Sequence, residues 1–465
     1  MTSIPSSAGA LPAHRLGDSA GALLHLSAPI VLSQLAQMGS AVVDVLMAGR
    51  LDTAALGAVA TGAAVWTPVM IFLLGLLYAL IPAIGRLRGE GREHAVRATV
   101  ARGLAVGLGG GALLGAAMAA LAVPLFRAAG VDPALIPDAG DYVRLVAFGL
   151  PGMGLFLAMR FLVEAYGAPM PVTATIVLGV ALKVLCNLAF VFGHFGATPL
   201  GVSGFGVSTL VAFWATGLVM AALALRHPRL RGAWQGPLAA ADLGGRALLR
   251  FCTGGLPIAF NFLSDYLVMA VVAIFIATLG AAAIGSHQIA FNVLMILLMA
   301  PTGLSMAATI LIARVAGGGD RAEARRLIGL TLGIGLALAV PLALLASFRA
   351  DTLAALYSRD PAVLAATAEL LRIVAWLLAL DVLVIALGFV LRGLGDAAGP
   401  FVILAAVHWL FSIPLGHALC FTDRLAAPLG TVGWWYALAA GLALAAALLL
   451  WRLGRRFAHF PWKTS

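Results

Sequence analysis

Apolar runs of about 20 residues or more, each long enough to cross roughly 30 Å of hydrocarbon, recur from residue 22 to residue 455 with short breaks between them. Twelve can be placed, at 22–48, 55–85, 96–125, 142–166, 171–193, 200–226, 246–279, 283–313, 326–349, 363–394, 399–421 and 430–454. With 62% of its residues hydrophobic and only 10% charged, the chain is far more apolar than a soluble domain. The predicted fold class is therefore an all-α integral membrane protein of twelve transmembrane helices.

A formal net charge of +10 raises the question of nucleic acid, but the placement of the basic residues argues against it. Nineteen Lys and Arg, among them Arg15, Arg392 and Lys463, fall in the connections on the side that holds both termini, against six, including Arg50 and Arg424, on the other. The positive-inside rule then puts both termini in the cytoplasm. The first twenty residues lack the basic start and apolar block of a cleavable signal, so the first apolar segment is expected to stay as a helix. The expected layout is a disordered tail at 1–20, a six-helix bundle at 21–226, a linker at 227–245, a second bundle at 246–455 and a tail at 456–465. Cys186, Cys252 and Cys420 sit in or at the edge of apolar helices with no CxxC spacing, and read as packing residues. Gly103, Gly107, Gly111 and Gly115 recur every four residues, which lets another helix come close.

The chain matches itself when each position i is laid on i + 228. GRLRGEGREHAVR (85–97) lies on ARVAGGGDRAEAR (313–325), and the same offset pairs Pro29 with Pro257, Gly75 with Gly303, Phe161 with Phe389 and Gly167 with Gly395. Each repeat holds six helices, so the two halves share one orientation and are related by an axis along the membrane normal. Two like bundles facing each other leave a central cavity, and rocking one against the other exposes it to either side in turn. That is a transporter architecture.

A carboxylate at a helix centre costs roughly 2.5–3.5 kcal/mol on insertion scales, so it is expected to face a wet cavity or a partner. Asp44 on helix 1, Asp265 on helix 7 and Asp381 on helix 10 stand out. The offset places them on Val272, Gln37 and Met153, so the repeat conserves none of them, as a function confined to particular sites would require. Lys183 on helix 5, with Asn187 one turn later, is expected to pair with Asp44. Arg160 and Glu164, four apart, read as a local ion pair, and His287, Gln288 and Asn292 give helix 8 a polar strip that either lines a path or bonds between helices. No enzyme signature emerges: HExxH, GxSxG and GxxxxGK[ST] are all absent from the sequence.

In VVDVLMAGRL of helix 1, GLPIAFNFLSD of helix 7, SHQIAFNVLMILLMAP of helix 8 and ALDVLVIALGFVLRGLGD ending helix 10, the chain resembles the multidrug and toxic compound extrusion (MATE) transporters, and within them the NorM-type branch. The resemblance spans about residues 20 to 455. It implies export of amphipathic, often cationic, organic compounds in exchange for inward Na⁺ or H⁺, in a bacterial inner membrane. Acidic residues on helices 1, 7 and 10 couple ion to drug in that family, and match Asp44, Asp265 and Asp381. Asp265 departs from the branch, which usually has glutamate there, and Lys183 stands where the family often has asparagine.

The expected mechanism places the coupling cation, a proton or a Na⁺ ion, on Asp265 and Asp381, because two carboxylates sharing a low-dielectric cavity resist being charged together. Asp44, tuned by Lys183, is expected to bind or sense substrate or proton in the first half, with Asn187 and Gln288 as further contacts. No cofactor beyond the coupling ion, no catalytic residue and no nucleic acid partner is expected; lipid surrounds a working monomer. The alternative transporter reading is a flippase of the same superfamily for a lipid-linked or amphipathic precursor, for which a more cationic cavity is expected. A membrane enzyme or sensor is the reading from another class.

Overall fold

The computed structural model describes residues 16–423 and 427–463. Twelve helices are long and apolar enough to cross a membrane: α1 Leu16–Leu51, α2 Thr53–Gly89, α3 Glu93–Ala128, α4 Ile136–Ala165, α5 Met170–Val191, α6 Val202–Arg226, α7 Gly245–Ala277, α8 Ala281–Gly318, α9 Arg321–Phe348, α10 Pro361–Gly393, α11 Ala398–Phe421 and α12 Thr431–Ala458. Among the described residues there is no strand. The predicted spans agree with these bounds to within six residues. The largest differences are at α1 and α4, where polar first turns carry the helix beyond its apolar stretch. Arg15 and Arg424 lie outside the described residues, as do residues 1–15 of the expected tail, whose last part, from Leu16, is already helical.

Local chemistry sets the ends. Asp52, Asp320 and Asp360 each accept a backbone N–H from the first turn of the following helix, the last with Pro361 at the first helical position. Within α2 the helical hydrogen bonding breaks at Ala79, because Pro82 has no N–H to give the Tyr78 carbonyl. Among the helices that end on a left-handed glycine, four do so at repeat mates: Gly91 (φ 73°) with Gly319 (φ 81°), and Gly167 (φ 72°) with Gly395 (φ 77°). α5 and α11, the fifth helices of the two halves, each contain a π-helical turn, at Asn187–Val191 and Val407–Ser412.

The glycine ladder of α3 packs on α4. A Cβ at Gly107, Gly111 or Gly115 would meet the carbonyls of Gly154, Leu150 and Ala147 at 2.5–2.7 Å. The connection 227–245 is folded onto the first half through Arg102 to Asp242 (2.6 Å) and the Trp234 indole to the Ala224 carbonyl (3.3 Å).

The halves meet through α2 on α7 and through α1 and α2 on α8. The contacts obey the repeat: Gly75 lies against the Ala259 backbone and its mate Gly303 against Val31, while Gly89 abuts the Arg314 carbonyl and its mate Gly317 that of Arg86. All of these lie toward the face where α1 begins, here termed the basic face for the connections it carries. Toward the opposite face a second apolar core, from Ala48 to Phe205, is built from first-half residues alone. The bundles are thus sealed together at the basic face and separate beyond the midplane, as two six-helix units around a central cavity.

Candidate functional site

Between the halves lies a cavity of about 730 Å³, within the size range of pockets for drug-sized ligands. Gln34, Gln37, Tyr78, Arg160 and Phe161 line it from the first half, but most of its wall comes from α7, α8, α10, α11 and α12. Most of the lining is apolar and aromatic, with Phe262, Phe291, Met295 and Trp435 among the walls.

Asp265 and Asp381 both face this void, as the sequence predicted. The Asp265 Oδ2 accepts from the Asn261 amide at 3.2 Å, one turn earlier on the same helix face. Its Oδ1 is buried without a hydrogen-bond partner, and the nearest basic atom is His408 Nδ1 at 3.7 Å. Among the described residues no donor is hydrogen-bonded to the Asp381 side chain. Lipid would reject such carboxylates; the void is what admits them.

Arg392 corrects the sequence reading. Counted there in a connection, it is 4% exposed on the last turn of α10 and lines the same cavity. Its Nη2 donates to the Asn261 Oδ1, so Asn261 bridges the Arg392 guanidinium to the Asp265 carboxylate. The guanidinium also lies over the rings of Phe262 (5.0 Å) and Phe389 (4.7 Å). Both rings, with Phe161, pack edge-on or tilted around Tyr78, and this aromatic cluster floors the cavity toward the basic face. A signal was available: Asp381 and Arg392 stand close to three whole helical turns apart, which puts both on one face of α10.

The first-half group stands apart. Lys183 Nζ donates to Asp44 Oδ2 at 2.6 Å and the Asn187 amide donates to Oδ1 at 3.2 Å, all three side chains being buried. The expected pairing of Lys183 with Asp44 is present, but none of the three reaches the cavity wall, so the substrate contact expected of them is not made there. Gln288 does line the cavity. His287 stacks on Phe291 with Trp435 against its edge, and Asn292 turns outward to accept from the Tyr357 hydroxyl at 2.8 Å. Arg160 pairs with Glu164 at 2.8 Å, both 1% exposed, and holds its charge against the cavity rim.

Element for element, the repeat still shows. α1 meets α5 at Asp44 and Asn187, the latter opening the π-helical turn; α7 meets α11 where Trp409 donates to Ser264 (2.9 Å) and His408 approaches Asp265, again within a π-helical turn.

A family model, MatE, matches the chain twice, at residues 29–189 and 257–417, two stretches set apart by the same offset as the internal repeat. The chain belongs to the MatE family. The multidrug resistance protein MdtK of Edwardsiella ictaluri (strain 93-146) is 30% identical over 434 residues, covering 93% of this chain and 95% of the relative. Two solved structures share the fold. The eukaryotic MATE transporter AtDTX14 has a TM-score of 0.84 at 16% identity, covering 95% of this chain and 98% of that one. A multidrug resistance MATE family transporter of the MOP superfamily in an outward-facing conformation also has a TM-score of 0.84, at 19% identity, with 97% and 98% covered. This MatE protein is a multi-pass membrane transporter and not an enzyme.

Proposed function

We propose that this MatE protein is a secondary active multidrug exporter that exchanges amphipathic, often cationic, organic compounds for inward Na⁺ or H⁺. The observation that carries the reading is the placement of Asp265 and Asp381 on one void of drug-binding size, with aromatic walls and no basic side chain hydrogen-bonded directly to either. The multidrug resistance name of the 30% identical relative supports the substrate class. Cation entering from one side and a cationic drug from the other compete for the same negative field, and exchange follows when the two states of the bundles differ in affinity for each. Where Na⁺ is the coupling ion, Asp265 and Asp381 are its oxygen ligands; where it is H⁺, they are its carriers. The basic connections support a topology with both termini in the cytoplasm, and the proposal takes the working unit to be a monomer in the bacterial inner membrane.

The flippase reading is disfavoured by charge. Arg160 is matched by Glu164 and Lys183 by Asp44, so against two cavity carboxylates only Arg392 remains.

The test is dye efflux from reconstituted vesicles with a Na⁺ gradient and a pH gradient imposed separately. One gradient drives efflux, and Asp381→Asn abolishes the driven component; a variant that exports at the normal rate rules the scheme out.

A further inference from the structure

We propose that Arg392 is a built-in counter-cation that fixes the capacity of the cavity at a single added positive charge, and so selects monocationic over dicationic compounds. The inference rests on the cation-exchange reading above and adds the charge class of the substrate.

The charges that face the void can be enumerated helix by helix. α1 and α2 bring only Gln34, Gln37 and Tyr78, which are uncharged at neutral pH. From α4 comes Arg160, cancelled by Glu164 at 2.8 Å. α7 gives Asp265, and α10 gives Asp381 and Arg392. α8 and α11 bring His287 and His408, which enter the count as neutral imidazoles. With both carboxylates ionised, they and the one uncancelled guanidinium leave the empty cavity at one negative charge. A proton, a Na⁺ ion or one drug monocation each brings it to zero, which makes them mutually exclusive occupants.

Geometry holds Arg392 to this task. Its guanidinium is pinned by Asn261 and by two aromatic faces, and its Nε has no hydrogen-bond partner among the described residues, so the charge is not neutralised by direct contact with a carboxylate. Through Asn261 it shares one amide with the Asp265 carboxylate, and both charges act on the same void. Burying a second net charge in a low-dielectric site is strongly resisted, which is the physical basis of the selection.

The experiment is equilibrium binding to the purified full-length protein, read by tryptophan fluorescence, with tetraphenylphosphonium as the monocation and a bis-quaternary aromatic ammonium as the dication. Arg392→Gln takes the empty cavity to two negative charges and raises the dication-to-monocation affinity ratio by ~10-fold or more, whereas Arg392→Lys keeps the native ratio. Gln288→Glu reaches the same charge with Arg392 intact and shifts the ratio in the same direction, so the idea stays testable if Arg392→Gln does not fold. The double variant Arg392→Gln with Asp381→Asn restores one negative charge and the native ratio. Variants that bind tetraphenylphosphonium but leave the ratio unmoved in both Arg392→Gln and Gln288→Glu overturn the proposal. Binding of either probe with no ion-driven efflux would instead count against the exchange reading alone.

Discussion

At the scale of single residues, Asp265, Asp381 and Arg392 share one void, and the Asn261 amide joins the first of them to the last. Asp265 and Asp381 were legible because a charge within an apolar helix is costly wherever nothing receives it. Arg392 was misread because an arginine near a helix end looks like an ordinary anchor at the membrane surface, and only its register with Asp381 tells otherwise. Asn261 is neutral and less costly to bury than a charge, so no local signal marked it, although it joins the two charges. Lys183 and Asp44 were paired correctly, yet their distance from the cavity depends on how α5 and α1 rotate, which no short stretch encodes. That buried pair carries a prediction. Lys183→Met leaves the Asp44 carboxylate buried with only the Asn187 amide, and is expected to destabilise the protein by about 3–5 kcal/mol. The double variant with Asp44→Asn recovers most of it. Thermal melting of the purified variants decides: a single variant that melts with the native protein would show the pair to be dispensable.

At the scale of helices, length and hydropathy located all twelve spans, because a bilayer imposes one length on every segment that crosses it. The π-helical turns in α5 and α11 were not legible, since no local preference marks them; each packs chiefly on the helix that follows it, α6 and α12. The glycine ladder was legible in purpose but not in partner. Its contact with α4 predicts a sharp contrast between neighbours on α3. Gly111→Leu forces a side chain into the Leu150 carbonyl and is expected to abolish stable folding, while Gly109→Leu, with nothing within 4 Å of the new Cβ, is expected to melt within a few degrees of the native protein. Size-exclusion profiles in detergent together with melting curves separate the two.

At the scale of the molecule, the internal offset announced two like halves, and the family match at 29–189 and 257–417 repeats that spacing. Which ends of the halves touch was not in the pattern, because the same repeat serves a transporter open to either side. The seal at the basic face can be tested directly. Gly85 and Ala313 lie so close that a Cβ on the glycine falls 2.9 Å from that of the alanine. Gly85→Cys with Ala313→Cys, in a background with Cys186, Cys252 and Cys420 replaced by alanine, is expected to form a disulfide once the two helices part by the roughly 1 Å that a Cβ–Cβ separation of about 3.8 Å requires, and so to stop efflux until reductant is added. Efflux that continues at the native rate with the bridge intact would mean that this face does not need to part. Because the stretch after α6 is fastened to its own bundle by Arg102 and Trp234, slack for any parting is confined to a few bonds around Leu243–Gly245. There Gly244 is extended (φ −64°, ψ 153°) and Gly245 begins α7, so two adjacent residues without side chains form a swivel. Any movement of one half against the other would turn on that joint, with its range set by the surfaces that touch rather than by the chain that connects them.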